Sequence, residues 1–551
     1  MTKELQIRTV VTGFCTAALL ALGLIYEKFI PDTTNAIPYL IINLVLLVAP
    51  AALCFKTIVN GIKSLFGLQG NTDSGIAVAV LASIVHGVAL FFDSSLVLNG
   101  SVHLYSSIAV GALLLNSIGK LSMTNRIARN FIFVTSAETK CSVEFYDNIN
   151  TAIQLAKGCV TEAPKIAYQK KTKFLKNFLH HSYDGDPSVR TSQLIAPIAL
   201  VASVALCIVT IIITGNVLMG LTALSVATCI SAPLASLLCV NLPVANLCNL
   251  ARRHGAMLSG YEAVEKMASA NAVLLGSIDL FPKDSVSLSD VKIYHGKRTE
   301  RAIFHAAAVM SNIGGTLRDL FEGVITAQKE MLPKATDISY IEGQGMVGTV
   351  NGKRLRIGTR LMMEENNIQL PGDDKRLHLK DNQCVLFLAE DEELMAMLTV
   401  SYKPDGATVH ELHRMERCGI AVLVRALDPN LTSAFLTKLF SLHENTIKVL
   451  PAELGNYCDE ALEEPAESCD ALLATRGRTF SMMRMLSACA RQKHNISLTV
   501  TMQIVSVILG FVLVAFLSCY AGLQQLSTLA ILLYEAFWLA AIILIPKLRK
   551  P

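Results

Sequence analysis

Eight runs of roughly 20 apolar residues constrain this chain more than any other feature, because such a run is stable as a helix across a bilayer. They lie at about 8–30, 36–58, 75–92, 102–123, 194–215, 217–247, 496–518 and 524–545. Composition agrees: 52% of the 551 residues are hydrophobic and 17% charged, against about 25% charged in ordinary soluble domains. Lipid is therefore the expected surrounding. The formal net charge of +4 gives no reason to expect nucleic acid as a partner. The first run follows Lys3 and Arg8 without a convincing small-residue cleavage site, and reads as an anchor.

Basic residues set the expected orientation. Lys3, Arg8, Lys56, Lys63, Lys120, Arg126, Arg129 and the tail Lys547-Leu548-Arg549-Lys550 fall on alternate sides of the spans. The positive-inside rule then puts both termini and both large loops in the cytosol, in a cell (plasma) membrane. The fourteen cysteines show no C-x-x-C spacing and read as small hydrophobes in a reducing compartment.

Two loops hold the soluble mass. The first, 124–193, is Lys-rich and nearly featureless. The second, 250–493, is long enough for two domains. Residues 271–275 form a short apolar strand, 300–331 are helical by periodicity, and 338–358 are β-rich with a hairpin at Asn351-Gly352. Residues 404–418 are helical, and 420–424 read as a buried parallel strand. The expected fold is thus a polytopic α-helical membrane protein of about eight spans. A cytosolic α/β domain is interrupted by an α+β insertion.

That plan resembles the heavy-metal-transporting branch of the P-type ATPases. The resemblance rests on Ser231-Ala232-Pro233-Leu234 in span six, on Arg253-His254-Gly255, and on Gly260-Tyr261-Glu262-Ala263-Val264-Glu265-Lys266. Asn271 to Leu275 is similar to the strand that delivers the phosphorylated aspartate. Gly343-Gln344-Gly345-Met346-Val347-Gly348 with Gly358 is similar to the glycine-rich strand-turn region of the nucleotide domain. The resemblance implies a HAD-like phosphorylation domain in two parts, 250–282 and 398–493, around a nucleotide-domain-like insertion at 283–397. It also implies a reduced actuator-like loop at 124–193, and spans within 1–123, 194–249 and 494–551.

At the chemistry the chain departs from that family. Where the family carries Asp-Lys-Thr-Gly-Thr, this sequence has Gly276-Ser277-Ile278-Asp279-Leu280. Phosphoryl transfer to protein needs a nucleophilic carboxylate at that strand end with Mg²⁺ beside it, and glycine has no side chain. Asp279 and Asp428 stand as candidate remnants; Asp428 ends Arg425-Ala426-Leu427-Asp428, in place of the family's Thr-Gly-Asp. The family's magnesium loop has no counterpart between 445 and 480, and Thr-Gly-Glu is missing from the first loop. The main expectation is a pseudo-ATPase with a binding, sensing or partner-subunit role. The alternatives are an active ATP-driven metal or cation transporter, for which ATP and Mg²⁺ would be the cofactors, and a passive ion or metal pathway. Gly343 and Gly345 are the candidate nucleotide-binding residues. Glu535, mid-span in the last run, and Pro233, whose ring breaks span six, are the candidate metal or ion residues. Gln503 and Thr501 are the candidate hydrogen-bond partners of Glu535 if it is only structural. Expected partners are the bilayer, a further membrane protein and a metal ion.

Overall fold

The computed structural model describes residues 2–29, 36–67, 69–184, 186–231, 236–296, 298–325, 332–371 and 379–549. Among the described residues, each apolar run lies mainly on helix: Thr2–Phe29, Ile37–Leu53 with Phe55–Phe66, Ser74–Ala89, Ser106–Thr135, Pro187–Thr214, Val217–Ser231 with Ser236–Arg253, Thr479–Cys519 and Thr528–Leu548. Among the described residues, five helices are long and apolar enough to cross a membrane singly. Ile37–Leu53 and Phe55–Phe66 meet the same test as a pair bent by 78°. Pro50, inside the first of them, removes a backbone donor one turn before the bend. Ser74–Ala89 and Val217–Ser231 are apolar but shorter, so a count of eight rests on these two. Pro233 lies outside the described residues.

Thr479–Cys519 has 41 residues, about 60 Å at 1.5 Å per residue, and carries the membrane bundle directly into the soluble core. Ser236–Arg253 runs beside it. Leu238, Val244, Leu247 and Ala251 on one helix and Met482, Leu486, Cys489 and Ile496 on the other are buried in the same cluster as the central strands.

The central sheet has the order Ile447–Val449, Ala421–Arg425, Ala272–Gly276, Ile166–Lys176, Lys140–Phe145, Leu473–Thr475 and Ala256–Leu258, with Ala466–Asp470 paired to Ile166–Lys176. Ala272–Gly276 and Ala421–Arg425 are parallel and buried, which is why both read as continuous apolar runs. The chain between them forms a separate six-stranded antiparallel sheet. Its order is Val286–Ile293, Glu393–Tyr402, Gln383–Glu390, Lys353–Gly358, Gly345–Val350 and Ala335–Ile341. The hairpin turn is at Asn351-Gly352, with φ of 52° and 78°, the two left-handed positions that an Asn-Gly pair supplies.

Two local readings change. The helix expected over 300–331 divides into Thr299–Met310 and Gly315–Val324, because Gly314 and Gly315 take φ of 90° and 81° between them; its last part, 326–331, lies outside the described residues. The first loop is far from featureless. Its strands Lys140–Phe145 and Ile166–Lys176 join the central sheet, with Ile166 opposite Ala272 and Cys141 opposite Thr475. The Ile166–Lys176 strand carries Lys170, Lys171, Lys173 and Lys176 on both of its faces, so its apolar period is weak although Ile166 and Ala167 are fully buried.

Candidate functional site

The site is the carboxyl end of the Ala272–Gly276 strand. Ala272, Val273, Leu274 and Leu275 are almost completely buried, and the chain turns at Gly276 into the single helical turn Ser277–Leu280. Gly276 has φ −82° and ψ 157°, extended backbone that any residue adopts. A Cβ there would meet Asp279 Oδ2 at 3.4 Å. Local geometry therefore does not require glycine at this position.

Asp279 serves this turn. Its Oδ2 accepts the Gly276 N–H at 2.8 Å, and its Oδ1 accepts the Thr479 hydroxyl. Burial pushes its carboxyl above the ordinary aspartate value, opposed by those two donors. Both oxygens are committed, and Asp279 caps a helix end.

A cleft of about 300 Å³ opens here, lined by Gly276, Ser277, Asp279, Arg425, Asp459 and Thr479, with Lys171 from the first loop. Arg425 Nε and Nη2 donate to Asp459 Oδ1 and Oδ2 at 3.1 and 3.2 Å, a bidentate pair. Behind the cleft, Asp428 is 3% exposed. Its Oδ2 accepts Tyr402 Oη at 2.6 Å and Thr316 Oγ1 at 3.4 Å, and its Oδ1 accepts the Asn430 N–H at 3.0 Å. Desolvation raises the Asp428 carboxyl to about 6, against the Tyr402, Asn430 and Thr316 hydrogen bonds that lower it.

Magnesium takes hard carboxylate oxygens with room left for water and phosphate. Here Asp279, Asp428 and Asp459 are each tied to protein donors, and a guanidinium stands in the cleft. These residues do not fit a Mg²⁺–ATP phosphoryl-transfer centre.

Comparison with known proteins places this geometry. No protein-family model matches the chain. Its residues align over 98% of the chain with all of a solved zinc-transporting PIB-type ATPase in its E2.Pi state, at TM-score 0.50 and 12% identity. The chain has the PIB-type ATPase fold. Its curated homologues are heavy-metal-exporting P-type ATPases. A silver exporting P-type ATPase of Salmonella typhimurium is 22% identical over 205 residues, 36% of this chain and 24% of that one. A probable copper-exporting P-type ATPase V of Mycobacterium tuberculosis is 23% identical over 274 residues, 48% of this chain and 35% of that one. A copper-exporting P-type ATPase of Staphylococcus aureus is 21% identical over 209 residues, 37% and 25% respectively. The matches thus span about a quarter to a third of those relatives' lengths.

The remaining sequence-derived residues do not converge on the cleft. Gly343 and Gly345 form the turn between Ala335–Ile341 and Gly345–Val350, with φ of 67° and 148°. A Cβ on Gly345 would lie 2.2 Å from Ile357 O, so close backbone approach accounts for that glycine. Glu535 is half-buried on Thr528–Leu548, one residue after Tyr534, whose hydroxyl donates to Ser506 O at 2.5 Å. Gln503 and Thr501 do not serve it. Gln503 donates to Ser506 Oγ at 3.3 Å and accepts from Cys239 Sγ at 3.9 Å, while Thr501 donates to Ser497 O at 2.9 Å. The sequence reading missed the clustering of His180, His181 and Glu262; an adjacent histidine pair in a Lys-rich loop was the available signal.

Proposed function

We propose that this chain is a heavy-metal P-type ATPase-like protein of the cell membrane that forms no phosphoenzyme. It acts by binding or sensing an ion, or by holding a partner membrane protein. One observation carries the reading: Gly276 ends the strand where the family's phosphorylated aspartate stands, and the nearby acids are bound to protein donors. The first loop adds support. Its Ile166–Lys176 strand is laddered directly onto Ala272–Gly276, so it cannot move independently of that strand without breaking backbone hydrogen bonds. Both termini and both loops are assigned to the cytosol on the Lys/Arg distribution.

ATP-driven metal export is the second reading, and the comparisons favour it. The relatives reported are named as metal exporters, and nothing in their names points to lost catalysis. A passive pathway rests on the half-buried, mid-span Glu535 alone. Metal-dependent phosphate release by the purified full chain in proteoliposomes separates them. The proposal expects ATP hydrolysis at the no-protein background with silver, copper or zinc; hydrolysis stimulated by any of these establishes the transport reading instead.

A further inference from the structure

His180 and His181 lie on the short helix Phe178–Tyr183, which follows the first loop's second strand. Glu262 lies on Tyr261–Met267, which follows span six. One ligand atom from each of the three falls within 4.8 Å of the others. The backbones themselves are pressed together, since a Cβ on Gly260 would lie 2.6 Å from His181 O.

His181 is 8% exposed. Its Nδ1 lies 2.7 Å from Glu262 Oε2, while its buried Nε2 has no hydrogen-bond partner. The nearest carboxylate oxygen to Nε2 is Asp470 Oδ1 at 3.8 Å, which already accepts Asn177 Nδ2 at 3.0 Å. A carboxylate only accepts, so the Nδ1 that faces Glu262 carries the proton in the neutral ring. Nε2 is then a buried lone pair facing another acceptor. A cation on Nδ1 reverses this. The ring proton moves to Nε2, which becomes a donor aimed at Asp470, the outer-shell carboxylate that metal-bound imidazoles commonly have. His180 has the same arrangement, with Asp184 Oδ2 3.0 Å from its Nδ1, leaving Nε2 for the cation.

We propose that His180, His181 and Glu262 bind a borderline divalent cation of the zinc class. Two imidazoles and a carboxylate are a zinc-type donor set, and no thiolate is present to select copper(I). Zinc–nitrogen and zinc–oxygen bonds of about 2.0–2.2 Å require these side chains to move by roughly an ångström. His180 and Glu262 have the exposure to do so. The ion clips the first loop to the segment leading from span six to the Ala272–Gly276 strand. The site needs no ATP and stands whether or not the chain turns over.

The test uses the full chain in detergent, stripped with EDTA, in a Glu535→Gln background so that a membrane ion is not counted. Cobalt(II) is the optical probe and zinc the competitor. The expected result is one saturable cobalt absorption band, displaced by zinc, with affinity at least tenfold weaker in His180→Ala and in Glu262→Gln. Zinc should raise the melting temperature of the parent and not of either variant. His180 is exposed, so His180→Ala keeps the fold readable if Glu262→Gln fails to fold. Absence of the band, or a titration unchanged by His180→Ala, overturns the site.

Discussion

At the end of the Ala272–Gly276 strand each carboxylate already has its donors; at His181 a buried nitrogen has none. The two clusters use similar residue types in contrasting states. Asp279 caps a turn, Asp459 holds Arg425, and Asp428 is enclosed by Tyr402, Asn430 and Thr316. Acids so engaged contribute to the fold. The histidine cluster keeps unsatisfied bonding capacity, and that capacity is what a ligand uses. The comparison teaches that the acids of the strand-end cleft are already spent on the fold, whereas the histidine cluster keeps an acceptor nitrogen free; Arg425 Nη1, unmatched in the cleft, is a donor that no cation can use.

The largest effect is expected at Asp428. Asp428→Ala strands the Tyr402 hydroxyl and the Asn430 N–H in a buried site, at a cost of about 3 kcal/mol, or roughly 5 °C in Tm for a soluble unit of about 300 residues. A change within 2 °C would show that the strand-end acids are not structural, and would erase the contrast between the two clusters.

The second effect is its pH dependence. The folded-state value of about 6 lies above the unfolded carboxylate near 4, so the native state holds the extra proton between them. That contribution is complete below about pH 4 and is lost as pH rises through about 6. Wild type should lose on the order of 2 kcal/mol between pH 4 and 8 relative to Asp428→Asn, which keeps an acceptor and cannot ionise. Parallel stability–pH curves for the two proteins contradict this.

The smallest effect is at Asp279. Asp279→Ala removes the acceptor of both the Gly276 N–H and the Thr479 hydroxyl; both bonds are only part-buried, so the loss should be about 1 kcal/mol, measured as a small fall in Tm. A much larger loss would mean that Asp279 does more than accept these two donors.

Much of the fold was legible because its strongest signals are local. The apolar runs, the buried strand at 271–275 and the Asn351-Gly352 hairpin follow from hydropathy and turn chemistry. The pairing of Ile166–Lys176 with Ala272–Gly276 was not, since it joins residues about 100 positions apart and lysines on both faces of the strand hide its period. At the site, the glycine that ends the strand could be read at Gly276, but the roles of its neighbours could not. That Asp279 bonds back to Gly276 and onward to Thr479, 200 residues later, is a tertiary fact. So is the approach of His181 to Glu262, 81 residues apart.

The central claim is that the strand ending at Gly276 carries no phosphoryl group. It is tested most directly by incubating the purified chain with γ-³²P-ATP and Mg²⁺, with silver, copper and zinc in turn, and trapping in acid beside an active metal-transporting ATPase. The account predicts no acid-stable label above background in wild type. It predicts none in Gly276→Asp either, which the extended backbone should accommodate but which leaves Arg425 and the bound acids in place. A hydroxylamine-labile phosphoprotein in wild type, mapping to Asp279, Asp428 or any other acid of the cleft, would contradict it.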